Sequence, residues 1–111
     1  MMTCISDTDN VVTLVNTFYV ESENQQKLID VLVEATEKTM KHLPGFISAN
    51  IHQSLDGTRV VNYAQWRNQE DFEAIFDNPD VLPHFKAALN LSVSENDGHL
   101  YKVVRIENIQ T

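Results

Sequence analysis

Alternating and β-branched runs mark four strands along this chain, and stretches of helical periodicity lie between them. Val11 to Val20 is β-branched and aromatic almost throughout, which predicts the first strand. Ser22 then opens a helix, with Gln25 three residues on in capping-box spacing. Leu28, Leu32, Ala35, Thr39 and Leu43 recur at helical spacing behind it, until Pro44-Gly45 stops the run. Phe46 to Ser54 and Arg59 to Arg67 read as two further strands joined across Leu55-Asp56-Gly57-Thr58.

Asn68 caps a short helix with Glu70 and Asp71 in its first turn and Phe72, Ile75 and Phe76 on its apolar face. Asp77-Asn78-Pro79 interrupts it, and a third helix runs from about Asp80 to Asn90, with Leu82, Phe85 and Leu89 in register. After the polar loop Ser92 to Gly98, His99 to Ile109 supplies the last strand. The order predicts an α+β, ferredoxin-like βαββαβ protomer with an antiparallel four-stranded sheet. Residues 1–10 read as a flexible polar tail, and residues 11–111 as one domain.

Strand side chains alternate, so each strand presents two rows. Even positions of the first strand give Val12, Leu14, Asn16, Phe18 and Val20, and odd ones Val11, Thr13, Val15, Thr17 and Tyr19. Both faces of the sheet therefore read as substantially apolar, with Ile47, Ala49, Ile51, Val61, Tyr63 and Gln65 also at odd positions. The helices cover one face only. A second apolar face implies a partner, most simply another copy of the chain packed sheet to sheet as a homodimer.

Composition narrows the function. With 8 Lys plus Arg against 16 Asp plus Glu, the formal net charge is -8, which argues against a nucleic-acid or anionic-membrane partner. The single cysteine, Cys4, excludes an intramolecular disulfide framework. Met1 to Asn10 has neither a basic start nor an apolar run, and no stretch approaches the roughly 20 apolar residues of a membrane helix, so a cytoplasmic location is expected. His42, His52, His84 and His99 show no metal-ligand spacing, and the three glycines stand alone, so no metal, nucleotide or flavin cofactor is predicted.

Polar residues on a buried face need a reason, because an unpartnered buried group costs about 1–3 kcal/mol. Asn16, Asn50, His52 and Asn62 are such residues, with Trp66 on the parity of Asn62. The hairpin decides whether His52 joins them. A three-residue loop closed by Gly57 pairs Ser54 with Thr58 and groups His52 with Asn62 and Trp66. A two-residue Asp56-Gly57 turn pairs Leu55 with Thr58 and sends His52 to the other face. Both are good turns. The first gathers the polar groups and is preferred here. One face then carries Asn16, Phe18, Asn50, His52, Asn62 and Trp66 against helices bearing Phe72, Phe76 and Phe85, the make-up of a small-molecule site.

Leu43-Pro44-Gly45-Phe46 and the run Asp56-Gly57-Thr58-Arg59-Val60-Val61-Asn62-Tyr63-Ala64-Gln65-Trp66 resemble the antibiotic biosynthesis monooxygenase family, over about Val11 to Phe85. The similarity is greatest to its cofactor-independent quinone-forming members of the actinorhodin type. The resemblance implies a dimeric α+β barrel and oxidation of a phenolic, anthrone-like substrate to a quinone with molecular oxygen alone. Asn62 and Trp66 match the family's pocket asparagine and tryptophan, and His52 falls at a matching pocket position. Asn62 would then donate to the substrate oxygen, Trp66 would orient the substrate or a peroxy group, and His52 would accept a proton. Phe72 stands where such members have a tyrosine, and Lys86, a positive charge near the mouth, where they have an arginine.

Asn16, Trp66 and His84 also fit the roles used by haem-degrading monooxygenases of the same superfamily. A non-catalytic dimeric barrel that binds a small metabolite is a third possibility, since fold alone does not choose.

Overall fold

The computed structural model describes residues 2–109. Four strands, β1 (Val12–Tyr19), β2 (Phe46–Gln53), β3 (Arg59–Trp66) and β4 (Asp97–Tyr101), form one antiparallel sheet in the order β2-β3-β1-β4. Helices α1 (Gln25–Lys38), α2 (Gln69–Glu73) and α3 (Leu82–Leu91) cover its inner face, giving the expected ferredoxin-like α+β layer pair.

Local chemistry sets most boundaries. Asn68 accepts a hydrogen bond from the Asp71 backbone N–H at 2.8 Å and so opens α2. Gly45 adopts φ +82°, and its carbonyl accepts from Arg67 N–H at 2.7 Å, which turns the chain from the helical layer into β2. The capping box at Ser22 does not form. Ser22–Asn24 is a 3-10 turn, and Gln25 turns inward instead. Its amide donates to the carbonyls of Ser54 (3.1 Å) and Arg59 (3.0 Å) and accepts from Gln53 (3.0 Å), supplying partners at the closing end of the β2–β3 hairpin.

That hairpin is closed by Ser54 N–H donating to the Arg59 carbonyl at 3.1 Å, around the loop Leu55–Thr58. Asp56 Oδ1 accepts from Thr58 N–H (3.0 Å), Thr58 Oγ1 (2.7 Å) and Ser54 Oγ (2.9 Å), and Gly57 takes φ +80°. The resulting register pairs Ile51 with Asn62 and His52 with Val61. It is opposite in parity to the preferred three-residue loop. Ser48, Asn50 and His52 therefore share the outer face with Val61, Tyr63 and Gln65, while Ala49 and Ile51 pack inward. An irregularity between Phe46 and Ser48 keeps Phe46 paired with Trp66 on the inner side.

The outer face is thus more polar than the parity count implied, and the N-terminal segment lies on part of it. Gln65 Nε2 donates to the Cys4 carbonyl at 2.7 Å, and Asn50 Nδ2 donates to Thr3 Oγ1 at 2.7 Å. Gln65 is buried there beside its cross-strand partner Thr13. β4 is also shorter than expected: pairing ends at Tyr101, and residues 102–109 form neither helix nor strand.

On the inner side, Leu14, Ala64, Trp66, Ile75 and Val81 form one core cluster. Phe18, Val20, Leu28, Val60 and Ala88 form a second.

Candidate active site

The two core clusters do not close over the middle of the sheet. Between them a cavity of about 280 Å³ opens from β1, β3 and β4 toward the helices. Asn16 and Phe18 reach it from β1, Asn62 from β3, Phe72 and Phe76 from α2 and the 3-10 turn after it, and His84 and Phe85 from α3. These are sequence-predicted site residues, and the fold brings them to one place. The register is the cause: Asn16 and Asn62 are directly opposed across the β1–β3 ladder.

Trp66 lies at the same end of the inner face, beside a side chamber of about 30 Å³. Leu14, Met40, Asn62, Phe72 and Ile75 line both spaces. Aromatic rings run continuously from the chamber to the surface. Phe46 meets Trp66 edge-on at 5.5 Å, Trp66 meets Phe72 at 6.0 Å, and Phe72 meets Phe76 at 5.4 Å. Phe76 then stacks on Phe85 at 5.7 Å with the rings 13° from parallel, and it is 61% exposed.

Three predicted residues stand elsewhere. Asn50 and His52 are on the outer face, for the register reason given above; Asn50 is bonded to Thr3 and to the Tyr63 carbonyl, and His52 is exposed. Lys86 is on the exposed side of α3 and does not line the cavity, because Phe85 and Ala88 take the inward positions of that helix.

Among the described residues, the cavity wall carries no carboxylate, lysine or arginine. Its polar groups are the amides of Asn16, Asn62 and Asn96 and the imidazoles of His84 and His99. His84 Nε2 is 3.0 Å from Thr39 Oγ1, and His99 Nε2 is 2.6 Å from the Asp97 carboxylate. Asn16 Oδ1 accepts from Asn96 Nδ2 at 2.8 Å. Asn96 was missed as a site residue, since a polar loop gives no sign of which strand it will meet.

Two buried polar atoms of this site have no partner among the described residues: Asn62 Oδ1 and Trp66 Nε1. Native proteins leave few such groups, and each calls for an explanation. Here one is an acceptor and the other a donor, among apolar aromatic surfaces. Such a site suits a flat aromatic molecule bearing oxygens: the rings supply contact area and the amides supply direction. Among the described residues, no group of His, Cys, Asp and Glu could together hold a metal ion, and no helix is long and apolar enough to cross a membrane.

Comparison with known proteins converges on one group. Residues 11–91 match the model of the family described as antibiotic biosynthesis monooxygenase. The tetracenomycin-F1 monooxygenase of Streptomyces glaucescens is 47% identical over 91 residues, covering 82% of this chain and 81% of that protein. The crystal structure of the monooxygenase from the ActVA-Orf6 gene of Streptomyces coelicolor, in complex with nanaomycin D, is 28% identical. It superposes with a TM-score of 0.79, covering 90% of this chain and 92% of that one. SnoaB, a cofactor-independent oxygenase from Streptomyces nogalater, shares the fold at 24% identity and a TM-score of 0.78, over 87% of this chain and 96% of its own.

Proposed function

The chain belongs to the antibiotic biosynthesis monooxygenase family, and from that premise we propose that this monooxygenase oxidises a phenolic, anthrone-like polycycle to a quinone with molecular oxygen and no cofactor. The observation that carries the proposal is the pair of unpartnered buried atoms, Asn62 Oδ1 and Trp66 Nε1, beside an aromatic-walled cavity. The names of the relatives support it: one acts on tetracenomycin F1, and another was crystallised with nanaomycin D.

The chemistry needs a base, an anion site and exclusion of water. A proton leaves the electron-rich ring system to give a delocalised anion. That anion passes one electron to dioxygen, and the resulting radical and superoxide combine to form a carbon–oxygen bond. The peroxide takes up a proton and loses water, so one oxygen atom stays as the new carbonyl and the other leaves as water. Amide N–H groups of Asn62 and Asn16 stabilise the substrate oxygen as charge develops, and Asn62 Oδ1 accepts from a neighbouring phenolic hydroxyl of the substrate. The Trp66 N–H serves the reduced oxygen species: dioxygen is a poor acceptor and peroxide a strong one, so this donor is engaged only as the reaction proceeds. His84, placed on the cavity wall and held by Thr39, takes the proton-accepting role that the sequence suggested for His52. Phe18, Phe72, Phe76 and Phe85 are the apolar walls.

A homodimer remains part of the proposal. Val104 and Ile109 lie exposed beyond the end of β4, and among the described residues no helix covers the outer sheet face. Sedimentation of the purified protein tests it, and a monomer at micromolar concentration would sink it.

The test of function is direct. Metal-stripped protein is mixed with anthrones and naphthalene-type hydroquinones while oxygen uptake and quinone absorbance are followed. Oxygen consumption in step with quinone is expected. No rate above background across the panel would defeat the proposal, and a Soret shift with haem loss on adding haem would replace it with haem degradation.

A further inference from the structure

Asn16 lines the cavity with its amide, and an amide has two unlike ends. One end accepts hydrogen bonds and the other donates them, so a half-turn of the side chain reverses what the substrate meets. In the structure the accepting end is turned to Asn96. Asn96 Nδ2 donates to Asn16 Oδ1 at 2.8 Å, from the segment just before β4. Gly98 lies directly across from Asn16 in the β1–β4 ladder, and a β-carbon there would stand 3.0 Å from the same oxygen. The oxygen of Asn16 is thus occupied and closely surrounded. Among the described residues its Nδ2 has no partner, and Asn62 is the residue opposite.

We propose that Asn96 is a positioning residue: by holding Asn16 Oδ1 it commits Asn16 Nδ2 to donate to the substrate oxygen that becomes anionic. This rests on the phenol-oxidising reading and adds to it a residue that acts through Asn16. Both asparagines opposed across β1 and β3 then serve one oxygen. With Asn16 reversed, a carbonyl oxygen would face the developing anion and oppose it.

The sign of the hydrogen bond at position 96 gives the test. In Asn96→Ala the Asn16 amide is free to turn, and kcat is expected to fall about 5-fold with KM within 2-fold of wild type. In Asn96→Asp the ionised carboxylate accepts from Asn16 Nδ2 and turns the oxygen toward substrate, so at pH 8 kcat is expected to fall about 100-fold, the scale of losing one oxyanion donor. As pH falls and that carboxyl is protonated it donates again, and activity relative to Asn96→Ala rises. Glu95, Asp97 and His99 on the same segment, and His84 across the cavity, are present in both variants, so the ratio compares position 96 alone.

An Asn96→Asp variant as active as Asn96→Ala at pH 8, or a ratio independent of pH, would overturn the assignment. A merely structural role predicts the larger loss for alanine. Calorimetric binding of an ionised polycyclic hydroxyquinone gives the same comparison without turnover: about 10-fold weaker binding to Asn96→Asp than to Asn96→Ala is expected, and equal binding would sink it. Wild-type protein that binds the quinone but oxidises nothing would instead defeat the reaction proposed above.

Discussion

Asn16 and Asn62 stand opposite each other on adjacent central strands, on the face that the helices cover. Asn16 has its oxygen satisfied by Asn96, whereas the oxygen of Asn62 is buried without a partner. Such a group opposes folding, and its presence in a β-branched strand calls for an explanation.

Replacing Asn62 by leucine should therefore separate stability from activity. The variant removes an unpaired buried oxygen, whose burial costs about 1–3 kcal/mol, and keeps the branched shape of the side chain. Thermal melting should show an unchanged or higher Tm while oxygen uptake falls about 100-fold. A variant that retains wild-type turnover would remove Asn62 from the site.

The two histidines make opposite expectations. His52 is exposed on the outer face, so His52→Ala should leave kcat within 2-fold of wild type. His84→Gln should lower kcat/KM about 100-fold, the usual scale for loss of a general base. Steady-state rates of both variants decide the matter, and the reverse ranking would return the role to His52.

Gly45 is held in place by two features at once. Its φ is +82°, and a β-carbon there would overlap the Asp71 carboxylate. Gly45→Ala should cost about 3 kcal/mol from backbone strain and crowding together. A fall in Tm of about 10 °C follows, and adding Asp71→Ala should recover part of it. Equal melting temperatures for the single and double variants would show that the contact does not matter.

Asp56 carries a pH dependence of known sign. Hydrogen bonds from the Thr58 hydroxyl, the Thr58 N–H and the Ser54 hydroxyl hold its carboxyl at about 2, below the ordinary 3.8. A carboxyl depressed by folding contributes stability that is fully present above its unfolded value and is lost as pH falls through the folded one. The hairpin loop should therefore weaken between about pH 4 and pH 2. Carboxyl carbon NMR should show the low midpoint, and Asp56→Asn should remove this part of the acid sensitivity.

Much of the fold was legible because local chemistry and tertiary need agree. Asn68 caps where a cap was expected, Pro44-Gly45 turns the chain, and the order of elements holds. The hairpin was different. Two turns fitted Leu55 to Thr58 equally, and the structure takes the register of the two-residue turn, with the side-chain bonds of Asp56 holding the loop. One register step moved Asn50 and His52 off the site. Gln25 likewise satisfied the local pattern of a capping box, yet the hairpin carbonyls of Ser54 and Arg59 claimed it. The alternation after Tyr101 looked like strand, but in a single chain β4 stops pairing there. Asn96 meets Asn16 across 80 positions of sequence, a distance over which no pattern speaks.

Trp66 is the single tryptophan of the chain, and it sits in the wall of the site with its ring packed edge-on between Phe46 and Phe72. Selective excitation of the indole therefore reports on the site alone. A dry, apolar setting places its emission toward the blue, and a quinone arriving in the adjacent cavity would quench it as an electron and energy acceptor. Under the proposed reaction, product formation and release would be events that light can follow in real time, without a label.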